Sequence, residues 1–233
     1  MILNTPNTCN IFTDASIIKT IYGETIGCAG AIGYLTSHGK DPIISTKIIR
    51  ESTNNNSEIT AILLGVEIAL SAPKGFKINL FSDSKICIYG LREWIYSWMN
   101  NREPDGTMVS SSGTPVANQE VFLHIINLIA TNNLSINLYH QKGHVKNTKS
   151  SLDNAKKVFF ESNGVVLDDQ DIFNISSFNN YIDEYTRAKL NTYIDDGGDI
   201  GKDVTREITY ITKAIKREVT EEMMFHYQSL VNK

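Results

Sequence analysis

Apolar residues recur with strand-like alternation and β-branched or aromatic enrichment in residues 8–16 (TCNIFTDAS), 25–37 (TIGCAGAIGYLTS) and 42–52 (PIISTKIIRES). Short links between consecutive strands favour antiparallel neighbours, so these three predict a meander. The period then changes. Across residues 57–72, Ile59, Ile62, Leu63, Val66 and Leu70 fall three or four apart, as on one helix face, with Asn56 or Ser57 able to cap the start and Pro73 to end it. Residues 77–83 (KINLFSD) read as a buried strand, 84–101 as one or two short helices, 101–115 as a polar loop, 117–133 as an amphipathic helix, 134–141 as a strand and 151–162 as a closing helix. This βββαβααβα order predicts an α/β domain with a mixed five-stranded sheet, three antiparallel strands followed by alternating helices and strands.

After residue 162 the pattern weakens. Residues 163–176 (NGVVLDDQDIFNIS) are polar and acidic without a sustained period and read as a linker or small substructure. Residues 176–195 predict a helix, and Val204, Ile208, Ile211, Ile215, Val219 and Met223 predict one long amphipathic helix over 203–231. The expected division is therefore a first domain over 1–162 and a mainly helical C-terminal extension over 163–233, with a truncation near Glu161 still able to fold. The extension would form a helical hairpin for packing, self-association or a protein partner.

Charge sharpens this division. The chain's net −4 argues against a polyanionic partner, but residues 1–160 carry 14 Lys+Arg against 12 Asp+Glu, net +2, while 161–233 carry 8 against 14, net −6. The acid lies in the tail. No apolar run is long enough for a membrane span, and the first residues lack the basic and apolar pattern of a secretory signal, so a cytoplasmic setting in a bacterial or virus-infected cell is expected, with no membrane partner. Cys9, Cys28 and Cys87, odd in number and without CxxC spacing, fit reduced buried thiols.

Four acids fall at element ends. Asp14 would close the first strand, Asp83 the fourth, while Glu58 and Asp153 would occupy the first turns of two helices, where N–H groups and the helix dipole favour anions. Clustered carboxylates repel unless a cation joins them. An all-oxygen donor set suits Mg²⁺, with Mn²⁺ as substitute, and two such ions suit phosphodiester hydrolysis.

The blocks IFTDAS, TNNNSEITAILLGVEIAL, INLFSDSKICIYGLREWIYSW, GTPVANQEVF and QKGHVKNTKSSLDNAKKVF, over about residues 8–160, resemble those of type 1 ribonucleases H. The resemblance implies the ribonuclease H fold and an endoribonuclease that hydrolyses the RNA strand of RNA–DNA hybrids, leaving 5′-phosphate and 3′-hydroxyl ends. It implies metal binding by Asp14, Glu58, Asp83 and Asp153, and proton movement by His144 in the KGH loop. Substrate contacts would come from Ser16, Thr53, Asn54, Asn55, Lys85 and Asn118, with Trp94 and Trp98 on the helix pair leading to the family's basic handle. Amides such as Asn54 and Asn55 can read a 2′-hydroxyl, which donates and accepts. Some positions depart from the family. Ala15 replaces a usual glycine, Glu51 stands where a basic residue is usual, the handle retains only Arg102, and the KGH loop reaches Asp153 one residue early. A DNA-cleaving integrase or resolvase relative shares the acids, and a hybrid-binding scaffold that recruits a replication partner through the tail is the non-enzymatic rival.

Overall fold

Alternation in the first strand decides the layering. In β1 (Thr8–Lys19), Ile11 and Thr13 turn to one face of the sheet and Phe12 and Asp14 to the other. β1 pairs antiparallel with β2 (Thr25–Leu35), which pairs antiparallel with β3 (Ile43–Arg50). It also pairs in parallel with β4 (Lys77–Ser82), which pairs in parallel with β5 (Ile136–His140). The order β3-β2-β1-β4-β5 is the mixed five-stranded sheet expected from the sequence. The structure, a computed structural model, describes residues 3–20, 22–36, 41–196 and 219–232.

One face of the sheet carries α1 (Asn54–Ala69), α2 (Lys85–Tyr89), α3 (Ile95–Asn100) and α4 (Gln119–Thr131). A π-helical turn, Gly90–Trp94, joins α2 to α3, so residues 85–100 form one continuous rod. α1 starts three residues earlier than the hydrophobic period suggested, because Thr53, rather than Asn56 or Ser57, accepts the backbone N–H of Asn56. Glu58 consequently sits past the first turn. Three cysteines are free and buried, as their spacing indicated.

The opposite face is covered by α5 (Lys149–Asn163) and α6 (Asp169–Asp195). α6 begins within the segment read as a linker, where Asp168 caps it by accepting Asp171 N–H at 2.7 Å. Its Ile172, Ile175 and Ile182 share a core with Phe12, Phe81 and Phe159, and Leu190 packs with Ile26 and Cys28. The approach is close enough that a Cβ on Gly30 of β2 would collide with Thr186. Burying four such aliphatic side chains contributes about 6–12 kcal/mol at about 1.5–3 kcal/mol each, comparable with the whole stability of an ordinary domain. The packing of α6 thus joins residues 172–190 to the core of those before 163, which weighs against a truncation near Glu161 folding by itself.

The last described helix, α7 (Glu221–Leu230), packs on α4, and the hydroxyl of buried Tyr227 donates to Leu91 O at 3.0 Å. Thr220 is its N-cap in extended backbone, so the long helix expected over 203–231 is not continuous through Val219. Residues 203–218 of that expectation lie outside the described residues. Val231 bridges in parallel to Ile136, adding a short pairing at the β5 edge. Among the described residues no helix is long and apolar enough to cross a membrane.

Candidate active site

β4 stops at Ser82, paired with Thr13, whereas β1 runs on to Lys19 beside β2. Past that point the β1 edge is open, and side chains from both faces meet there. Asp14 is therefore a mid-strand residue at the parting of β1 from β4, rather than a strand end. Open sheets place ligands at such partings, beyond the carboxyl ends of strands. Asp14 comes from β1, Asp83 follows β4, and Glu58 arrives from α1. One carboxylate oxygen from each lies within 4.8 Å of the others. A cleft of about 410 Å³ opens over them, floored by Asp14–Ile18 and walled by Asn54 and Glu58 of α1, Asp183, Arg187 and Asn191 of α6, and His144.

The three acids are held at an electrostatic cost. Burial and the neighbouring Asp83 push Asp14 up from 3.8 to about 8, against the 2.7 Å hydrogen bond from Ala15 N–H. Glu58 is raised well above its ordinary value by burial and by Asp14, Asp83 and Asp183, and Asp83 is raised by burial although His144 draws it down. Glu58 Oε2 is buried without a hydrogen-bond partner. Buried oxygen acceptors lacking protein donors fit hard divalent cations.

Further contacts fix Asp14. Asn179 of α6, which is buried, donates from Nδ2 to Asp14 Oδ2 at 3.4 Å and accepts at Oδ1 from Gln141 Nε2 at 2.5 Å. Gly143 lets the KGH loop pass, since a Cβ there would collide with the Asp83 carboxylate. His144 adopts φ 50° and is exposed, with Nδ1 3.7 Å from Asp183 Oδ2.

The fourth acid differs from expectation. Asp153 is exposed on α5 and lines neither the carboxylate cluster nor the cleft. α5 buries Ala155 and Phe159, and two residues of helix turn Asp153 about 200° from Ala155. The acid on the cleft wall is Asp183, half-way along α6, its charge felt by all three buried carboxylates. Hydrophobic periodicity missed it because the facing positions of α6 include Ser176, Asn179 and Thr186, polar residues that nonetheless keep the helical step with Ile172, Ile175, Ile182 and Leu190.

The expected substrate residues separate into two groups. Asn54 and Ser16 line the cleft, but the Ser16 hydroxyl is engaged by α6, at 2.9 Å from Thr186 Oγ1 and 3.4 Å from Asp183 O. Ser16 thus both lines the cleft and docks α6. Thr53, Asn55, Lys85 and Asn118 lie outside the cleft lining. Thr53 caps α1, and Lys85 Nζ sits 5.4 Å above the Tyr89 ring. Asn118 precedes α4 in left-handed backbone with no capping bond from its side chain. Trp98 is buried, edge-on to Phe122 at 5.3 Å, and so serves packing, whereas Trp94, 6.0 Å from Trp98, is exposed.

The sequence profile of the RNase H family matches residues 6–156. A ribonuclease H of Legionella pneumophila (strain Lens) is 31% identical over 120 residues, 52% of this chain and 71% of the relative. One from Clostridium botulinum (strain Hall) is 28% identical over 138 residues, 59% of this chain and 84% of the relative. Among solved structures, LC9-RNase H1, described as a type 1 RNase H with the type 2 active-site motif, aligns with TM-score 0.47 at 16% identity, covering 72% of this chain and 81% of that one. The PFV RNase H domain aligns with TM-score 0.47 at 18% identity, covering 67% and 94%. With the profile spanning most of the chain, the mixed sheet in the expected order and the acids gathered at its parting, the chain belongs to the RNase H family of enzymes.

Proposed function

We propose that the cleft hydrolyses the RNA strand of RNA–DNA hybrids with the help of two divalent ions, Mg²⁺ with Mn²⁺ as substitute, giving 5′-phosphate and 3′-hydroxyl ends. The observation that carries this reading is the set of Asp14, Glu58 and Asp83, whose carboxylate oxygens lie within 4.8 Å of one another, in a chain of this family. These three, joined by Asp183 in place of Asp153, would hold the ions. Bound there, divalent ions supply charge stabilisation at the scissile phosphate and activate water near neutral pH. The chain's own groups do the rest. Asn179 and Ala15 N–H orient Asp14, and Gly143 keeps the loop against Asp83. His144, exposed at the rim with Nδ1 3.7 Å from Asp183 Oδ2, would exchange a proton between the departing 3′ oxygen and solvent. Asn54 offers an amide to a 2′-hydroxyl, while Thr53, Asn55, Lys85 and Asn118 remain candidates for the DNA strand beyond the cleft.

A hybrid-binding scaffold working through a detached acidic tail is disfavoured, because α6 is built into the cleft wall. The test is incubation of labelled RNA–DNA hybrid, duplex DNA and duplex RNA with Mg²⁺, Mn²⁺ or EDTA. RNA fragments from the hybrid alone, and none with EDTA, are expected. Cleavage of duplex DNA in preference to the hybrid would favour the integrase or resolvase type of chemistry.

A further inference from the structure

α6 does more than cover the sheet. Its residues Asp183, Arg187 and Asn191, spaced i, i+4 and i+8, line the same cleft as the carboxylates, opposite Asn54 and Glu58 of α1. Among the lining residues Arg187 is the one permanently charged cation. Its Nη2 lies 3.0 Å from both Asp183 oxygens, while its side chain is 60% exposed, so the guanidinium stands in solvent at the mouth of the cleft. A guanidinium has five N–H donors in a planar fork, and this ion pair engages Nη2 alone, leaving the Nε and Nη1 donors for a ligand. The wall it stands on carries Asp183 beside neutral Leu190 and Asn191, and the approaching strand is a polyanion. The segment corresponding to the basic handle offers only Arg102, whose Nε is buried.

We infer that Arg187, tethered by Asp183 and flanked by the Asn191 amide, is a substrate-binding residue that grips a backbone phosphate of the cut strand next to the scissile one. The α6 wall then supplies a phosphate contact that the handle does not. Asp183 holds the guanidinium over the cleft in the free protein, and anything cationic that draws Asp183 inward leaves the fork to the phosphate. This inference rests on the proposed reading of the cleft as a hybrid-cleaving site.

The experiment measures anisotropy of a labelled RNA–DNA hybrid in EDTA across a salt series, with KM and kcat in Mg²⁺. Full-length wild type is compared with R187A, R187Q, R187K and K189A. Lys189 is exposed on the same helix but outside the cleft lining, so K189A removes an equal charge elsewhere. R187A and R187Q are expected to weaken binding about fivefold to tenfold and to flatten the salt slope by nearly one unit. KM should rise more than kcat falls, R187K should retain part of the affinity, and K189A should stay within about twofold of wild type. Single neutral methylphosphonate linkages moved along the RNA strand should reveal one position that weakens wild type and leaves R187Q unaffected. Equal losses in R187Q and K189A, or no such position, would overturn the assignment. If wild type neither binds nor cuts hybrid, it is the proposed function that fails. If wild type does both and R187Q matches it, only the role of Arg187 fails. Should R187A lose its thermal transition, R187Q carries the comparison.

Discussion

Replacing Asp14 with asparagine should stabilise the metal-free protein, increasingly so as pH rises. The Asp14 carboxyl is raised from 3.8 to about 8, first by burial and then by Asp83. Between those values the folded chain holds a proton that the unfolded chain has released, so wild-type stability is fully present below about pH 4 and is lost as pH climbs toward 8. At about 1.4 kcal/mol per pKa unit, ionising Asp14 in place costs on the order of 5 kcal/mol. Water entry and relaxation of the cleft return part of this, leaving about 2–3 kcal/mol to be measured. The amide oxygen of the D14N side chain would still accept from Ala15 N–H, as the Asp14 carboxylate does now at 2.7 Å, so the local backbone keeps its bond. For a chain of this size about 2–4 °C accompanies each kcal/mol. In EDTA, D14N should therefore melt about 4–12 °C above wild type near pH 8 and close to it near pH 4.5. Thermal unfolding followed by circular dichroism at several pH values reads this directly. Millimolar Mg²⁺ should raise the wild-type transition and leave D14N in place, because only wild type keeps the full acid set. A D14N protein less stable than wild type throughout, or a difference independent of pH, would refute the electrostatic account of the cluster.

Two further outcomes follow from the packing of α6. A chain ending at residue 163 loses the buried Ile172, Ile175, Ile182 and Leu190 and should be insoluble or lack a cooperative thermal transition; a soluble, cooperative and active fragment would show the helix to be dispensable. Asn179→Ala frees one oxygen of Asp14 and unpairs Gln141 Nε2, so kcat on a hybrid should fall about tenfold at nearly unchanged KM. A change confined to KM would place Asn179 in substrate binding instead.

The sheet was readable because its residues follow one physical rule: Ile11 and Phe12 alternate between two cores, and in β4 Ile78 and Leu80 face one core and Phe81 the other, with buried Asn79 paired to Asn10 and Asn137. Asp14, Glu58 and Asp83 were readable because the end of β4, its neighbour β1 and the N-terminal half of α1 meet at one parting. Asp153 lies apart from the other three for a rotational reason that no spacing rule contains, since its helix is turned by Ala155 and Phe159 toward the sheet. Asp183 was hidden by the polar surroundings of its helix. Near the carboxylates the sheet face is polar, so the helix above it, expected from residue 176 onward, carries Asn179 and Thr186 where an apolar stripe would continue, and no stripe marked this face as the one turned to the sheet. Ser16 shows the converse: a position suggested by resemblance lines the cleft and also makes a contact that only the later helix could offer.

The most direct test compares RNA-strand cleavage of a hybrid in Mg²⁺ by D14N, D183N and D153N, each first checked for an intact thermal transition. D14N and D183N should lose about a thousandfold or more in rate, as expected when groups stabilising transition-state charge are removed, while D153N cuts at nearly the wild-type rate. An inactive D153N beside an active D183N would contradict the site described, and undiminished cleavage by D14N would contradict the carboxylate cluster as the seat of the chemistry.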